Sequence, residues 1–171
     1  MSKCGACGQT LEQKNKTLYI CSSCHKETYN NPRAAVAVVV IDGRNILLAR
    51  RSNHPNKGRL DPIGGFLDYN EQPLDGLRRE IGEETNLDID IGPIVGVYTH
   101  EYGEGSNVSV CPIIYVGKIN SGTLEGKDDV ASLEWVSVDD TPKADMLAWS
   151  FMPQLFADLR LYIDNAAGQQ G

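Results

Sequence analysis

The sequence predicts an α+β domain with a mixed sheet between helices, preceded by a small cysteine-rich unit. Three observations carry this. Residues 34–41 form a continuous, largely β-branched apolar run, as a strand buried on both faces requires. Residues 73–87 place apolar side chains at helical spacing, with glutamates on the adjacent arc. Two Cys-x2-Cys pairs fall within residues 1–30.

The first unit, residues 1–30, holds Cys4-x2-Cys7 and Cys21-x2-Cys24, separated by thirteen residues. Two thiolates from one tight turn reach the same ion, so the spacing predicts a structural Zn²⁺ ribbon. A segment this short builds no core of its own, and the metal supplies much of its folding energy. Disulfides would need an oxidising compartment, and a redox role would need one pair beside a βαβ unit. With four thiolates present, His25 reads as a surface residue.

The domain proper is expected over residues 33–165. Ala34–Ile41 is its central strand, Asp42-Gly43 a turn and Asn45–Arg51 the returning strand. Residues 52–61 read as an exposed loop carrying Lys57 and Arg59. Gln72 stands at an N-cap position, and Pro73 suits the first helical turn. Leu74, Leu77, Ile81 and Thr85 share the core arc of the helix. Gly92-Pro93 is expected to turn the chain before a strand over 94–98, and 101–107 reads as a flexible acidic tip. Residues 108–119 form an apolar strand with Cys111 as a core thiol, 117–127 is turn-rich, and 133–138 is a short strand. Residues 141–163 give a second helical region, with Leu155, Phe156, Leu159 and Tyr162 as its core stripe. The polar tail from Asn165 to Gly171 is expected to fray.

The helix that follows Pro73 is poorly written for stability alone. Glu80, Glu83 and Glu84 lie at i, i+3 and i+4, where like charges cost about 0.2–0.5 kcal/mol per pair. Gly76 and Gly82 each cost about 0.8–1 kcal/mol relative to Ala. Convergent carboxylates make sense where a hard divalent cation neutralises them.

The full pattern resembles the Nudix box: Gly, five residues, Glu, seven residues, Arg-Glu, an aliphatic, any residue, Glu-Glu, any residue, Gly, an aliphatic. Gly65, Glu71, Arg79, Glu80, Ile81, Glu83, Glu84 and Leu87 match it. Asn86 stands where the family has Gly, at an expected left-handed helix exit that Asn tolerates. The resemblance implies a Nudix-type α/β/α sandwich and a hydrolase that cleaves a phosphoanhydride with Mg²⁺ or Mn²⁺. It implies Glu80 and Glu84 as direct metal ligands, Glu83 as a ligand or water-orienting group, and the Gly64 carbonyl as a further ligand. Arg79 then orients a carboxylate, and Glu71 and Gly65 support the site. The general base varies in the family; Asp129, ahead of Trp135, is the first candidate, with Glu101 and Glu104 as others. Arg51, at a strand end, is a candidate contact for substrate phosphate.

Ribbon plus box is similar to the zinc-ribbon branch of the family, which includes the NADH pyrophosphatases. Those carry a Ser-Gln-Pro-Trp-Pro-Phe-Pro element downstream of the box; Cys111-Pro112-Ile113 is not a version of it. NADH, ADP-ribose and related nucleotides therefore all stay open as substrates.

The chain has 171 residues and a net charge of −7, whereas a general nucleic-acid binder is usually basic. A regulator using the ribbon to bind nucleic acid is the competing class, but the basic residues there are only Lys3, Lys14, Lys16 and Lys26, offset by Glu12 and Glu27. A ribbon-supported homodimer is a third reading. No apolar leader or membrane-spanning run stands out, so a cytoplasmic enzyme acting on a small nucleotide is expected.

Overall fold

The computed structural model describes residues 3–168. Two compact units meet between Pro32 and Arg33. The first is a three-stranded antiparallel sheet of β1 (Leu11–Gln13), β2 (Leu18–Cys21) and β3 (Glu27–Tyr29). The Asn15 side chain accepts the backbone N–H groups of Thr17 and Leu18, at 2.9 and 2.8 Å, and so fixes the turn between β1 and β2.

The second unit is built on a mixed sheet. Its strands are β4 (Arg33–Asp42), β5 (Asn45–Arg51), β6 (Leu60–Asp61), β7 (Ile63–Phe66), β8 (Thr85–Val97), β9 (His100–Glu101), β10 (Ser109–Gly126) and β11 (Val130–Ser137). The main order is β11-β5-β4-β10-β8, with β4 and β10 parallel and the other pairs antiparallel. Helix α1 (Pro73–Glu84) covers one face and α2 (Met152–Gly168) the other.

The β-branched run explains the sandwich. Along β4 the side chains alternate between faces. Ala37 and Val39 join Met152, Leu155, Phe156 and Leu159 of α2. Val36, Val38 and Val40 join Leu77 and Ile81 of α1. A strand covered on both sides has no solvent face and so no polar alternation.

Strand β4 changes partner along its length. Its C-terminal end pairs β5, from Val40 to Asp42, while Ala35 to Val38 pair β7. Strand β5 diverges at that point and pairs β6 and β11. The divergence separates the end of β5, where Arg51 sits, from the glycines of β7.

Several local expectations are corrected. The helix stops at Glu84, because the Thr85 hydroxyl donates to the Ile81 carbonyl at 2.7 Å and Thr85 turns extended. Asn86 lies within β8 rather than in a left-handed exit; the positive φ, +114°, falls on Gly122 of the partner strand, where a side chain would strike the Asn86 carbonyl. Leu74 is 40% exposed, one turn too early to reach the core. Gln72 uses its backbone carbonyl, not its side chain, to cap α1. Gly92-Pro93 does not turn the chain; β8 runs through it, with Ile91 opposite Gly117 and Ile94 opposite Tyr115, so two residues face one as a β-bulge. Residues 117–126 likewise extend β10 through further register shifts.

Residues 52–61 are exposed only in part, since Leu60 and Asp61 are buried in β6. Cys111 is only half-buried. The second helical region begins at Met152, after a single 3₁₀ turn at Ala144–Met146, and it continues through Gly168 rather than fraying at Asn165; the rest of that tail lies outside the described residues. Among the described residues no helix is long and apolar enough to cross a membrane.

Gly64 adopts φ +146° against β4, and a side chain there would collide with the Val36 carbonyl and with Ala37. Gly64→Ala is expected to lower unfolding free energy by about 2 kcal/mol or more, read from the denaturant midpoint.

Candidate active site

The helix carboxylates are organised by one arginine. Arg79 Nε and Nη2 reach the two oxygens of Glu71, both at 2.9 Å. Nη2 also donates to the Phe66 carbonyl at 3.0 Å. Nη1 donates to Glu80 at 2.8 Å and to Glu83 at 3.0 Å. The fork geometry of guanidinium allows this distribution, and an ammonium would not. Glu71 additionally accepts the Asp68 N–H at 2.8 Å. Arg79 and that N–H together hold the Glu71 carboxyl down to about 2.

Two of the glycines make room for these groups. A Cβ on Gly65 would lie 2.5–2.7 Å from the Glu80 carboxylate. A Cβ on Gly76 would lie 2.5 Å from the Leu67 side chain and 2.8 Å from Glu71. The helix penalty of Gly76 is thus the condition for seating Glu71. Nothing in the structure requires glycine at position 82.

Glu84 is the most enclosed of the three helix glutamates. Its carboxylate accepts the Gly64 N–H at 2.8 Å. Burial, then the charges of Glu80, Asp61 and Asp129, push its carboxyl up to about 8 against that hydrogen bond. Burial raises Glu80 as well, against the pull of Arg79. Carboxylates enclosed beside one another are the donor set a hard cation relieves.

These groups line a cavity of about 320 Å³. Its wall includes Gly64, Gly65, Arg79, Glu80, Glu84, Asp129 and Arg51. Asp129 accepts the Asn53 side-chain amide. Glu83 is half exposed, is tied to Arg79, and is not among the described lining residues. Glu101 and Glu104 are likewise off the described wall and exposed, which places them apart from Asp129.

Aromatic rings stand on the same wall, beside apolar residues of β4 and β10. His100 lies tilted against Trp149 with centroids 4.3 Å apart, Tyr102 stacks on Trp149 at 5.4 Å, and Phe66 meets Tyr102 edge-on at 5.1 Å. Burial lowers the His100 pKa, keeping the imidazole neutral near pH 7. Asp61 lies beneath, accepting the Trp149 indole N–H at 2.8 Å and Arg51 at 2.7 Å. Sequence reasoning passed over Asp61 and Trp149. The available signal was a lone acid in the apolar stretch Leu60-Asp61-Pro62-Ile63, three residues before Gly64.

In the first unit the sulfurs of Cys4, Cys7, Cys21 and Cys24 all lie within 4.8 Å of one another. The Cys4–Cys24 pair is 3.7 Å apart, and Cys7 is 3.5 Å from both Cys21 and Cys24. A tetrahedral ion with sulfur bonds of about 2.3 Å needs edges of about 3.8 Å, so the set fits one. The backbone N–H groups of Cys24 and Ser23 bring the Cys21 thiol down to about 6, toward the thiolate a metal requires. His25 is exposed and lies outside this set.

A cluster of carboxylates beside paired glycines, on a sheet covered by helices, is a donor set suited to a hard divalent cation. A NUDIX domain model matches residues 31–159, and the chain belongs to that family. It is 30% identical over 115 residues to an ADP-ribose pyrophosphatase of Methanocaldococcus jannaschii, covering 67% of this chain and 68% of that one. It is 34% identical over 89 residues to a NAD-capped RNA hydrolase NudC of Haemophilus influenzae, covering 50% of this chain and 34% of the relative. The human mitochondrial NAD(P)H pyrophosphatase NUDT13 is 29% identical over 120 residues, 68% of this chain and 33% of the relative. The chain thus spans about two thirds of the first relative and about a third of the other two. A NUDIX hydrolase of Nitrosomonas europaea shares the fold, with a TM-score of 0.71 at 22% identity, covering 96% of this chain and 91% of that structure.

Two outcomes follow from the charge arrangement. Glu71 is depressed below its ordinary 4.5, so it contributes stability above that pH which is lost as pH falls toward about 2. The melting-temperature gap between wild type and Glu71→Gln should therefore narrow on acidification from about pH 6 to about pH 3. Glu84, raised to about 8, is largely protonated at neutral pH. Mg²⁺ binding at about pH 7 should release up to about one proton, and little at about pH 9, measured by calorimetry in buffers of different ionisation enthalpy.

Proposed function

We propose that the protein hydrolyses the anhydride of a nucleoside diphosphate linked to a second moiety, such as ADP-ribose or NADH, giving two phosphorylated products. The observation that carries this reading is the make-up of the cavity: Glu80, Glu84 and Asp129 share one wall with Trp149, Tyr102 and Phe66. Oxygen donors suit a cation on the diphosphate, and aromatic faces suit a planar ring. The names of the relatives, an ADP-ribose pyrophosphatase, a NAD-capped RNA hydrolase and an NAD(P)H pyrophosphatase, agree with it.

In this reading Glu80 and Glu84, with Glu83 and the Gly64 carbonyl, hold Mg²⁺ or Mn²⁺. The ion, when bound, neutralises phosphate charge and acidifies water. The protein's own groups do the rest. Arg79 aims Glu80 and Glu83, and Glu71 anchors Arg79. Gly65 leaves the space that the Glu80 carboxylate fills. Asp129, held by Asn53 on the cavity wall, takes the proton from the attacking water. Arg51 meets a phosphate oxygen. The four cysteines hold a structural Zn²⁺ in a zinc ribbon over residues 1–30, apart from a hydrolase domain over 33–165.

The test is a panel of ADP-ribose, NADH, dinucleoside polyphosphates, NAD-capped RNA and nucleoside triphosphates with Mg²⁺ or Mn²⁺, products separated by chromatography. A nucleoside monophosphate from the first two is the expected result, and no cleavage of any compound sinks the reading. Glu84→Gln and Glu83→Gln should each lower kcat at least about 100-fold with the fold retained by circular dichroism. Purified protein should carry about one zinc per chain, lost in Cys21→Ser, by elemental analysis.

A further inference from the structure

Asp61 is a buried acid that the mechanism above does not use. It sits in β6, opposite Ala49 of β5. One oxygen accepts Arg51 Nη1 and the other the indole N–H of Trp149. The Arg51 guanidinium also lies over the Trp149 ring, 5.1 Å from its centroid, and its Nε donates to the Pro55 carbonyl at 2.9 Å. One carboxylate therefore binds both members of a cation–aromatic pair, and all three side chains line the cavity.

The chain invests further backbone in this junction. The Ala148 N–H donates to the Leu60 carbonyl at 2.8 Å, and the Asn56 amide donates to the Ala148 carbonyl at 2.7 Å. Segments far apart in sequence, 51–61 and 147–149, are locked beside each other at the wall. A buried ion pair is a poor source of net stability, since an apolar replacement of similar volume is often neutral or better. It is a good source of fixed orientation. Of the two arginines on the wall, Arg79 is committed to Glu71, Glu80 and Glu83. Arg51 is the other, and its direction is set by Asp61 together with the Pro55 carbonyl.

We propose that Asp61 is a positioning residue for substrate affinity: it fixes the Arg51 guanidinium and the Trp149 ring as one rigid surface that receives the nucleotide beside the carboxylates. The proposal rests on the functional reading above. Asp61 touches no reacting atom, so its loss should act on binding rather than on the chemical step.

Asp61→Asn separates the two contacts. The amide oxygen still accepts the indole N–H, but the amide N–H₂ faces the guanidinium, donor against donor. The expected result is a KM raised about tenfold with kcat within about twofold. A second measurement needs no turnover. Trp135, on β11 and off the described cavity wall, is the other of the two tryptophans. In a Trp135→Phe background, Trp149 fluorescence reports ADP-ribose binding, and Asp61→Asn should weaken the Kd about tenfold and shift the emission to the red. Should Asp61→Asn fail to fold, Trp149→Phe keeps an aromatic ring while losing the indole donor and the second ring of the surface, and should weaken ADP-ribose at least about threefold by calorimetry.

Unchanged KM and Kd, or a fall in kcat at constant KM, would overturn the proposal. Wild type that binds ADP-ribose through this surface yet cleaves nothing would leave the proposal standing and remove the hydrolytic reading. Cleavage of the panel compounds equally well by wild type and by Asp61→Asn, with the same KM, would do the reverse. Wild type that neither binds nor cleaves ADP-ribose or NADH overturns both.

Discussion

Three glutamates on one turn and a half of helix repel one another, and the site depends on the cation that makes this tolerable. Arg79 spreads its donors over Glu71, Glu80, Glu83 and the Phe66 carbonyl. It joins the helix to the strand before it and to the loop between them in one set of contacts. The glycines follow from that arrangement. Gly65 and Gly76 sit where any side chain would displace the carboxylate of Glu80 or Glu71. Local helix stability is given up for a fixed cluster of charges, and the tertiary contacts of Leu77 and Ile81 restore it.

The sheet places this cluster opposite a second, chemically different wall. Because β4 exchanges β5 for β7 midway, the strand carrying Arg51 and the strand carrying Gly64 part company beside the cavity. Carboxylates enter from α1, aromatic rings from β9, the residue after it and the segment before α2. The two sets of side chains come from separate stretches of sequence, and the sheet brings them into one pocket.

Much of this was legible in the sequence because it is written locally. The helix carboxylates, Arg79 and Glu71 follow from spacing within twenty residues, as do the cysteine knuckles and the hairpin at Gly43. What was missed is non-local. Asp61 acquires its meaning only from Trp149, 88 residues later, and neither has a spacing that announces the other. Glu83 shows what a helical wheel leaves out: it shares an arc with Glu80 and Glu84, yet it stands half exposed, tied to Arg79 and off the described cavity wall. The readings at Gly92-Pro93 and at 117–126 failed for another reason. Turn-forming residues mark a bulge as readily as a turn, and only the partner strand decides between them.

That bulge has a consequence for how molecules meet one another. Strand β8 is an edge of the sheet, thirteen residues long, and Ile94 and Val97 stand 51% and 58% exposed on it. A straight edge of that length is a template on which another chain can add a strand. Pro93 offers no N–H to such a strand, and the extra residue bends the edge out of register. The same irregularity that disguised the strand in the sequence thus makes its free edge a poor seed for aggregation.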